Sequence, residues 1–137
     1  MTPRLRKCSE STIAGRLAKA EQFLDAAETI RDFAADEHDV ADAYVTLCVH
    51  SGVAASDVIC CIALGGHVQG DDHNEAVTQL SKVRPDGPQL GNALGVLLAM
   101  KTRAGYSHEH ISIAGCKRAH RAAERLLRAA RDRGITR

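Results

Sequence analysis

Aromatic residues and proline are scarce in this chain of 137 residues. It has no tryptophan, and aromatics make up 3% of a composition that is 45% hydrophobic. Only three prolines occur, and none interrupts a long periodic stretch. A β-sandwich or barrel needs more aromatic and β-branched residues and more frequent turns, so both are disfavoured. The apolar fraction is ordinary for a globular protein, which argues against disorder.

Alanine is abundant instead, with 22 copies in the chain. Alanine loses least on entering a helix, so this composition predicts an all-α fold. The length suits one domain, residues 1–137, with an ordered core of about 10–133. The fold predicted is a single up-and-down bundle of about five helices.

Apolar periodicity and capping residues place the five helices. The first begins at a Ser9 or Ser11 cap and ends near residue 35, and the others cover 40–64, 72–82, 89–102 and 108–133. Asp72 with Glu75 gives the third helix a capping-box start. The half of the second helix after residue 53 is nearly apolar all round and is expected at the bundle centre. Residues 65–70 are interpreted as a helix stop followed by a flexible linker.

The chain also lacks an apolar leader, a long apolar run and regular cysteine spacing. The longest apolar runs, 58–64 and 93–100, are too short to cross a bilayer. Five cysteines, an odd number, predict a cytoplasmic protein whose reduced thiols act as small core residues. Adjacent Cys60 and Cys61 suit neither a local disulfide nor a zinc knuckle. The histidine pairs His108/His110 and His67/His73 do not have metal-ligand spacing, so no metal or other cofactor is predicted.

The net charge of +1 conceals an uneven distribution. Residues 101–137 carry ten Lys or Arg and three acids, giving +7, whereas residues 1–100 carry −6. In the last helix Lys117, Arg121, Arg125 and Arg128 recur on one face, and Arg118 flanks them. Such a face is able to follow a phosphate backbone. The alternative is a solvated face on which Glu124 pairs with Arg128.

The stretch 97–108 holds the most informative residues. Arg103 and His108 form an Arg-x4-His pair between two predicted helices. Arginine grips phosphate with two donors, and histidine moves protons near neutral pH, so the pair could cleave RNA without a metal. Asp57, in the apolar half of the second helix, needs a cation, and Arg103 is the partner predicted for it. In that case Arg103 has a structural role.

These features resemble the HEPN superfamily (higher eukaryotes and prokaryotes nucleotide-binding). The resemblance lies in the helix lengths, the Leu-rich fourth helix, the Arg-x4-His pair, the basic last helix, and residues 45–52 (VTLCVHSG) and 101–107 (KTRAGYS). The last two segments are similar to bacterial, in particular actinobacterial, members. The resemblance implies a homodimer that binds RNA or nucleotide and acts as a metal-independent, toxin-type endoribonuclease. Arg103 would bind phosphate, His108 would be catalytic, and Lys101 and Tyr106 would contribute to binding.

A non-catalytic member is the alternative that the same residues favour. Ala104 stands where the family usually has a polar residue after the arginine, and Tyr106 matches branches that lack the histidine. Such a protein would be an interaction module that pairs with a nucleotidyltransferase or another protein.

Overall fold

Five helices make up most of the computed structural model, which describes residues 5–69 and 72–135. The predicted all-α bundle is confirmed. The elements in chain order are β1 (Leu5–Lys7), α1 (Glu10–Phe33), a short 3-10 turn (Glu37–Val40), α2 (Ala41–Leu64), β2 (Gly66–Val68), α3 (His73–Ser81), α4 (Gly87–Gly105) and α5 (Ile113–Ile135). Gly70, Asp71 and Arg137, which entered the linker and charge arguments, lie outside the described residues.

Helix α2 is the centre of the bundle, as its apolar second half predicts. It packs against α1, α4 and α5. Val58 and Ile59 are fully buried there. Gly52 lets α4 approach closely, because a Cβ at this position would collide with the side chain of Leu97. This close packing fixes the position of α4, which carries Lys101 and Arg103.

Capping residues set the helix ends where the sequence predicts them. The Ser9 hydroxyl accepts a hydrogen bond from the Thr12 N–H at 3.1 Å at the start of α1. An Asp72 carboxylate oxygen accepts one from the Glu75 N–H at 3.0 Å at the start of α3. Gly65 ends α2 in the left-handed conformation, with φ of 80°.

The segment after Gly65 is ordered, so the prediction of a flexible linker is wrong for residues 66–68. They form β2, which pairs antiparallel with β1 in the register Leu5↔Val68, Arg6↔His67 and Lys7↔Gly66. The partner strand lies 60 residues away in the chain, and three-residue strands have no periodicity by which a sequence could reveal them.

Two of the five cysteines are joined, which corrects the prediction of five free thiols. The strand pair places Cys8, just after β1, beside Cys61 in the last turn of α2, with the Cα atoms 5.7 Å apart. Cys8 and Cys61 form a disulfide. Cys48 and Cys60 are the small core residues that the sequence predicts. Burial raises the pKa of each thiol to about 12.

Helix α5 begins at Ile113, five residues later than predicted. The Asp42 carboxylate, on α2, accepts hydrogen bonds from the Ile111 N–H at 2.8 Å and from His110 Nδ1 at 2.6 Å. These contacts hold the α4–α5 connection against α2. The Ser112 hydroxyl then accepts from the Gly115 N–H at 3.0 Å in the first turn of α5. His108 therefore lies in the connection and not in the helix.

One segment of the described chain, Glu37–Leu64, is long and apolar enough by length and composition to cross a membrane. Its most apolar window has a mean hydropathy of 1.9. This is the helix at the centre of the bundle, and 61% of the window is buried by the rest of the protein. Core helices commonly meet the same criterion, so the segment is weak support for a membrane span.

Candidate functional site

A cavity of about 460 Å³ lies between the strand pair and helices α1 to α4. This volume is within the usual range for small-molecule sites. Its apolar wall comes from α2, α3 and α4, and includes Val49, Val53, Ala76, Leu94 and Leu98. Its polar wall consists of Arg6, Thr12, Arg16, His50, Ser56, Asp57, His67, Asp72, His73 and Lys101. The cavity is therefore lined by both apolar and polar side chains, and α2, α3 and α4 each contribute some of both.

The charged residues of the cavity give it an excess of positive charge. Three fixed cations, Arg6, Arg16 and Lys101, face two carboxylates, Asp57 and Asp72. Asp57 is already paired with Arg16, and Asp72 caps α3. Apart from the Arg16–Asp57 pair, Arg6 and Lys101 exceed Asp72 by one positive charge. Cations in a partly enclosed hollow attract anions more strongly than cations on open surface.

Asp57 has a different partner from the one predicted. Arg16, on α1, approaches the Asp57 carboxylate at 2.9 Å, and His67 Nδ1 lies 3.5 Å from it. Burial raises the pKa of Asp57, and the charges of Arg16 and His67 offset only part of this effect. The predicted Asp57–Arg103 pair is wrong because α1 brings Arg16 alongside Asp57.

Lys101 is held by a histidine. Its Nζ lies 3.0 Å from Nε2 of His73, the first residue of α3. An ammonium group has only donors, so the histidine nitrogen accepts this hydrogen bond. No carboxylate of the described residues lies within ion-pair distance of Lys101. Lys101 therefore lines the cavity without a direct ion pair to any carboxylate of the described residues.

A side hollow of about 140 Å³ adjoins the cavity. It is lined by Thr46, Val49, His50, Lys101, Gly105 and Tyr106, of which three also line the cavity. The Tyr106 side chain is 79% exposed. Lys101 thus lies between the cavity and an exposed aromatic ring, and the structure places the two predicted binding residues Lys101 and Tyr106 around one hollow.

Arg103 and His108 do not line the cavity or the side hollow. Arg103, on the last turn of α4, is 54% exposed, and its Nη2 lies 3.5 Å from Oε2 of Glu109. His108 is exposed in the connection to α5. Within one chain, the predicted catalytic pair is therefore on open surface.

The basic residues of α5 divide between two places. Arg118, Arg121 and Arg125 line a shallow groove of about 370 Å³ against α4. Lys117 instead lines a hollow of about 290 Å³ near Arg31 and Tyr44, and Arg121 borders this hollow too. Arg128 pairs with Glu124 at 3.2 Å, as the solvated-face alternative predicts. We call Lys117, Arg118, Arg121, Arg125 and Arg128 the basic face.

Sequence reasoning missed Arg6, Arg16, His50 and His73 as components of one site. These residues come from β1, α1, α2 and α3, so their spacing in the chain carries no common period. The sequence offered one signal for this site, namely polar residues next to apolar stretches of the helices. His50 precedes Ser51 in the apolar second helix, and His73 follows the Asp72 cap. Each of them has a separate structural explanation, and only the packing of the helices joins them.

The fold and the cavity define an all-α bundle with a cation-lined, half-apolar cavity. Comparisons of the chain with protein-family models, curated proteins and solved structures found no match.

Proposed function

We propose that this protein binds RNA or a free nucleotide, with one phosphate at Lys101 and the attached nucleoside in the cavity or the side hollow. The observation that carries the proposal is the position of Lys101. Its ammonium group is hydrogen-bonded to His73, has no carboxylate of the described residues within ion-pair distance, and borders both hollows.

The surroundings of Lys101 match the parts of a nucleotide. A phosphate needs charge-assisted donors, which Lys101 and Arg6 supply. A base and ribose need apolar surface with a few polar groups, which the wall containing Val49 and Leu98 provides. Tyr106 offers an exposed ring on which a base stacks. The resemblance to HEPN proteins supports the same class of ligand.

The test is calorimetric titration with AMP and ATP, together with fluorescence anisotropy of a short labelled single-stranded RNA. We expect Lys101→Met to weaken both ligands about tenfold or more, because a charged hydrogen bond to phosphate is lost. We expect Tyr106→Ala to weaken them about tenfold through loss of stacking.

Matched controls come from exposed residues outside the two hollows. Lys19→Met removes an exposed lysine, and Phe33→Ala removes the other strongly exposed aromatic side chain of the described residues. Neither change should alter affinity by more than about twofold. Equal affinities for Lys101→Met and wild type, or no binding of any of these ligands at low salt, would contradict the proposal.

Metal-independent RNA cleavage is a second candidate function. The observation in its favour is that Arg103 and His108 are both exposed on the α4–α5 segment that also carries Tyr106. A second copy of the chain would have access to them, as in the homodimer that the resemblance implies. Arg103 would hold the scissile phosphate, and His108 would take the proton of the attacking 2′-hydroxyl.

Incubation of tRNA and total RNA with the protein in EDTA tests this activity. We expect cleavage by wild type and by a His38→Ala control, and loss of cleavage in Arg103→Ala and His108→Ala. Cleavage that persists in both variants would exclude these residues as the catalytic pair. RNA that is bound but never cut would favour the non-catalytic interaction module, for which a nucleotidyltransferase is the predicted partner.

A further inference from the structure

Three side chains with metal-binding atoms converge where the strand pair meets α2. Cys8 follows β1, Cys61 lies in the last turn of α2, and His67 is the central residue of β2. Their ligand atoms all lie within 4.8 Å of one another. The ligand atoms of a tetrahedral zinc ion are about 3.3–3.8 Å apart, given its usual bond lengths. Small side-chain rotations would therefore bring the three atoms to zinc-binding distances once the disulfide is reduced.

The contacts of His67 favour Nε2 as the nitrogen that would bind a metal. Its Nδ1 lies 3.1 Å from the Val68 carbonyl oxygen and 3.5 Å from Oδ1 of Asp57. A proton on Nδ1 satisfies these acceptors and leaves the lone pair on Nε2. Histidine ligands of zinc usually have this arrangement, in which a carbonyl or carboxylate fixes the tautomer and the ring orientation.

We propose that Cys8, Cys61 and His67 form a zinc site that exists when the Cys8–Cys61 disulfide is reduced. Two thiolates and one imidazole are the mixed sulfur and nitrogen ligands that favour Zn²⁺ over hard cations. Three protein ligands leave the fourth tetrahedral position for water, an arrangement that allows the metal to exchange.

The other cysteines are poor competitors for the metal. Among the described residues, Cys48, Cys60 and Cys116 belong to no group of three metal-binding side chains such as the one that Cys8, Cys61 and His67 form. The site therefore uses the two cysteines that the strand pair brings together. In the reducing compartment that the sequence predicts, zinc would hold β1 against α2 in place of the disulfide.

Oxidation and metal release are coupled in this proposal. A peroxide takes two electrons from the two zinc-bound thiolates and two protons from solvent. The Cys8–Cys61 bond forms, Zn²⁺ leaves, and hydrogen peroxide becomes two molecules of water. A dithiol reverses the protein reaction by thiol–disulfide exchange, and becomes a disulfide itself.

The test is titration of the full chain with Co²⁺, a coloured substitute for zinc, under argon. The protein is reduced with a phosphine, which is removed before the titration. We expect one equivalent of Co²⁺ to give a thiolate-to-cobalt absorption band that one equivalent of Zn²⁺ abolishes. Oxidised wild type should give no band, and native mass spectrometry should show zinc in the reduced form alone.

Single variants assign the ligands. Cys8→Ser and His67→Gln should lower the affinity for Co²⁺ at least tenfold, whereas Cys116→Ser should bind it like wild type. Far-ultraviolet circular dichroism checks that each variant folds, and the oxidised wild type gives a comparison without any substitution. The proposal is overturned if reduced wild type gives no thiolate band, if oxidised protein binds equally, or if folded Cys8→Ser binds like wild type.

Discussion

The cavity and the basic face present positive charge in two different ways. The cavity collects three cations from three elements, β1, α1 and α4. Two of them have side-chain partners, since Arg16 pairs with Asp57 and Lys101 contacts His73. The basic face displays many cations of one helix to solvent, and Arg128 already pairs with Glu124. An enclosed, oriented cation discriminates between ligands, whereas an exposed row mainly adds salt-sensitive attraction. The cavity is thus the better candidate for specificity.

The disulfide gives the first and largest test of this difference, because it fastens only the cavity side. It joins residues 53 apart, so its removal should lower the free energy of unfolding by up to about 4 kcal/mol in the chain-entropy model. Urea unfolding of the Cys8→Ser/Cys61→Ser variant and oxidised wild type, both in EDTA, measures the effect. Cys116→Ser is the control, and an unchanged midpoint in the double variant would contradict the prediction.

The second test compares two ion pairs, Arg16–Asp57 in the cavity and Arg103–Glu109 on open surface. Arg16→Met leaves Asp57, whose side chain is only 18% exposed, without its main cation. We expect a loss of about 2 kcal/mol, between the values for exposed and buried pairs. Arg103→Met breaks the exposed pair with Glu109 and should cost less than about 1 kcal/mol. Urea unfolding measures both, and equal losses would mean that the two environments do not differ.

The third test compares a long ligand, RNA, with a small one, AMP, because only RNA is expected to reach the basic face as well as the cavity. Arg121→Ala should weaken RNA and reduce the slope of log affinity against log salt by about 1, because one phosphate contact is lost. The same variant should bind AMP like wild type, since Arg121 lines the α4–α5 groove and not the cavity. Anisotropy at graded salt and calorimetry with AMP check this. A large loss of AMP affinity in Arg121→Ala would place the nucleotide on α5.

The smallest expected effect is on stability at low pH. It concerns the α4–α5 connection, which Asp42 holds against α2. Burial raises the pKa of Asp42, but hydrogen bonds from His110 and the Ile111 N–H lower it more, so the net pKa is below normal. The resulting stabilisation is present above the ordinary aspartate pKa of about 3.9 and is lost as pH falls through the folded-state pKa.

Urea unfolding of wild type and Asp42→Ala from neutral pH to below about pH 4 tests whether this stabilisation is lost on acidification. The stability advantage of wild type should be full at neutral pH and should shrink below about pH 4. An advantage that grows on acidification would contradict the assignment of the lowered pKa to Asp42.

Local signals in the sequence predicted the helices well. Ser9, Gly65 and Asp72 each act on residues within four positions, so the ends they specify are confirmed. The start of α5 was predicted wrongly because it depends on Asp42, nearly 70 residues away in the chain. Short-range patterns contain no information about such a contact.

The site was less predictable for the same reason. Lys101 and Tyr106 were found because they lie in one motif-like stretch. Arg16 was missed as the partner of Asp57, and Cys8 as the partner of Cys61, because each pair is joined by packing across more than 40 residues. Composition shows that a buried carboxylate needs a cation, and only the fold shows which cation reaches it.

The most direct test of the central claim is the map of amide chemical-shift changes in ¹⁵N-labelled protein during titration with AMP. If the cavity is the nucleotide site, saturable shifts should centre on His73, on Lys101 and on the facing part of α2 around Val49. The amides of Arg118, Arg121 and Arg125 should stay within the scatter of the unaffected residues. Saturable shifts confined to α5, with none around Lys101, would contradict the account.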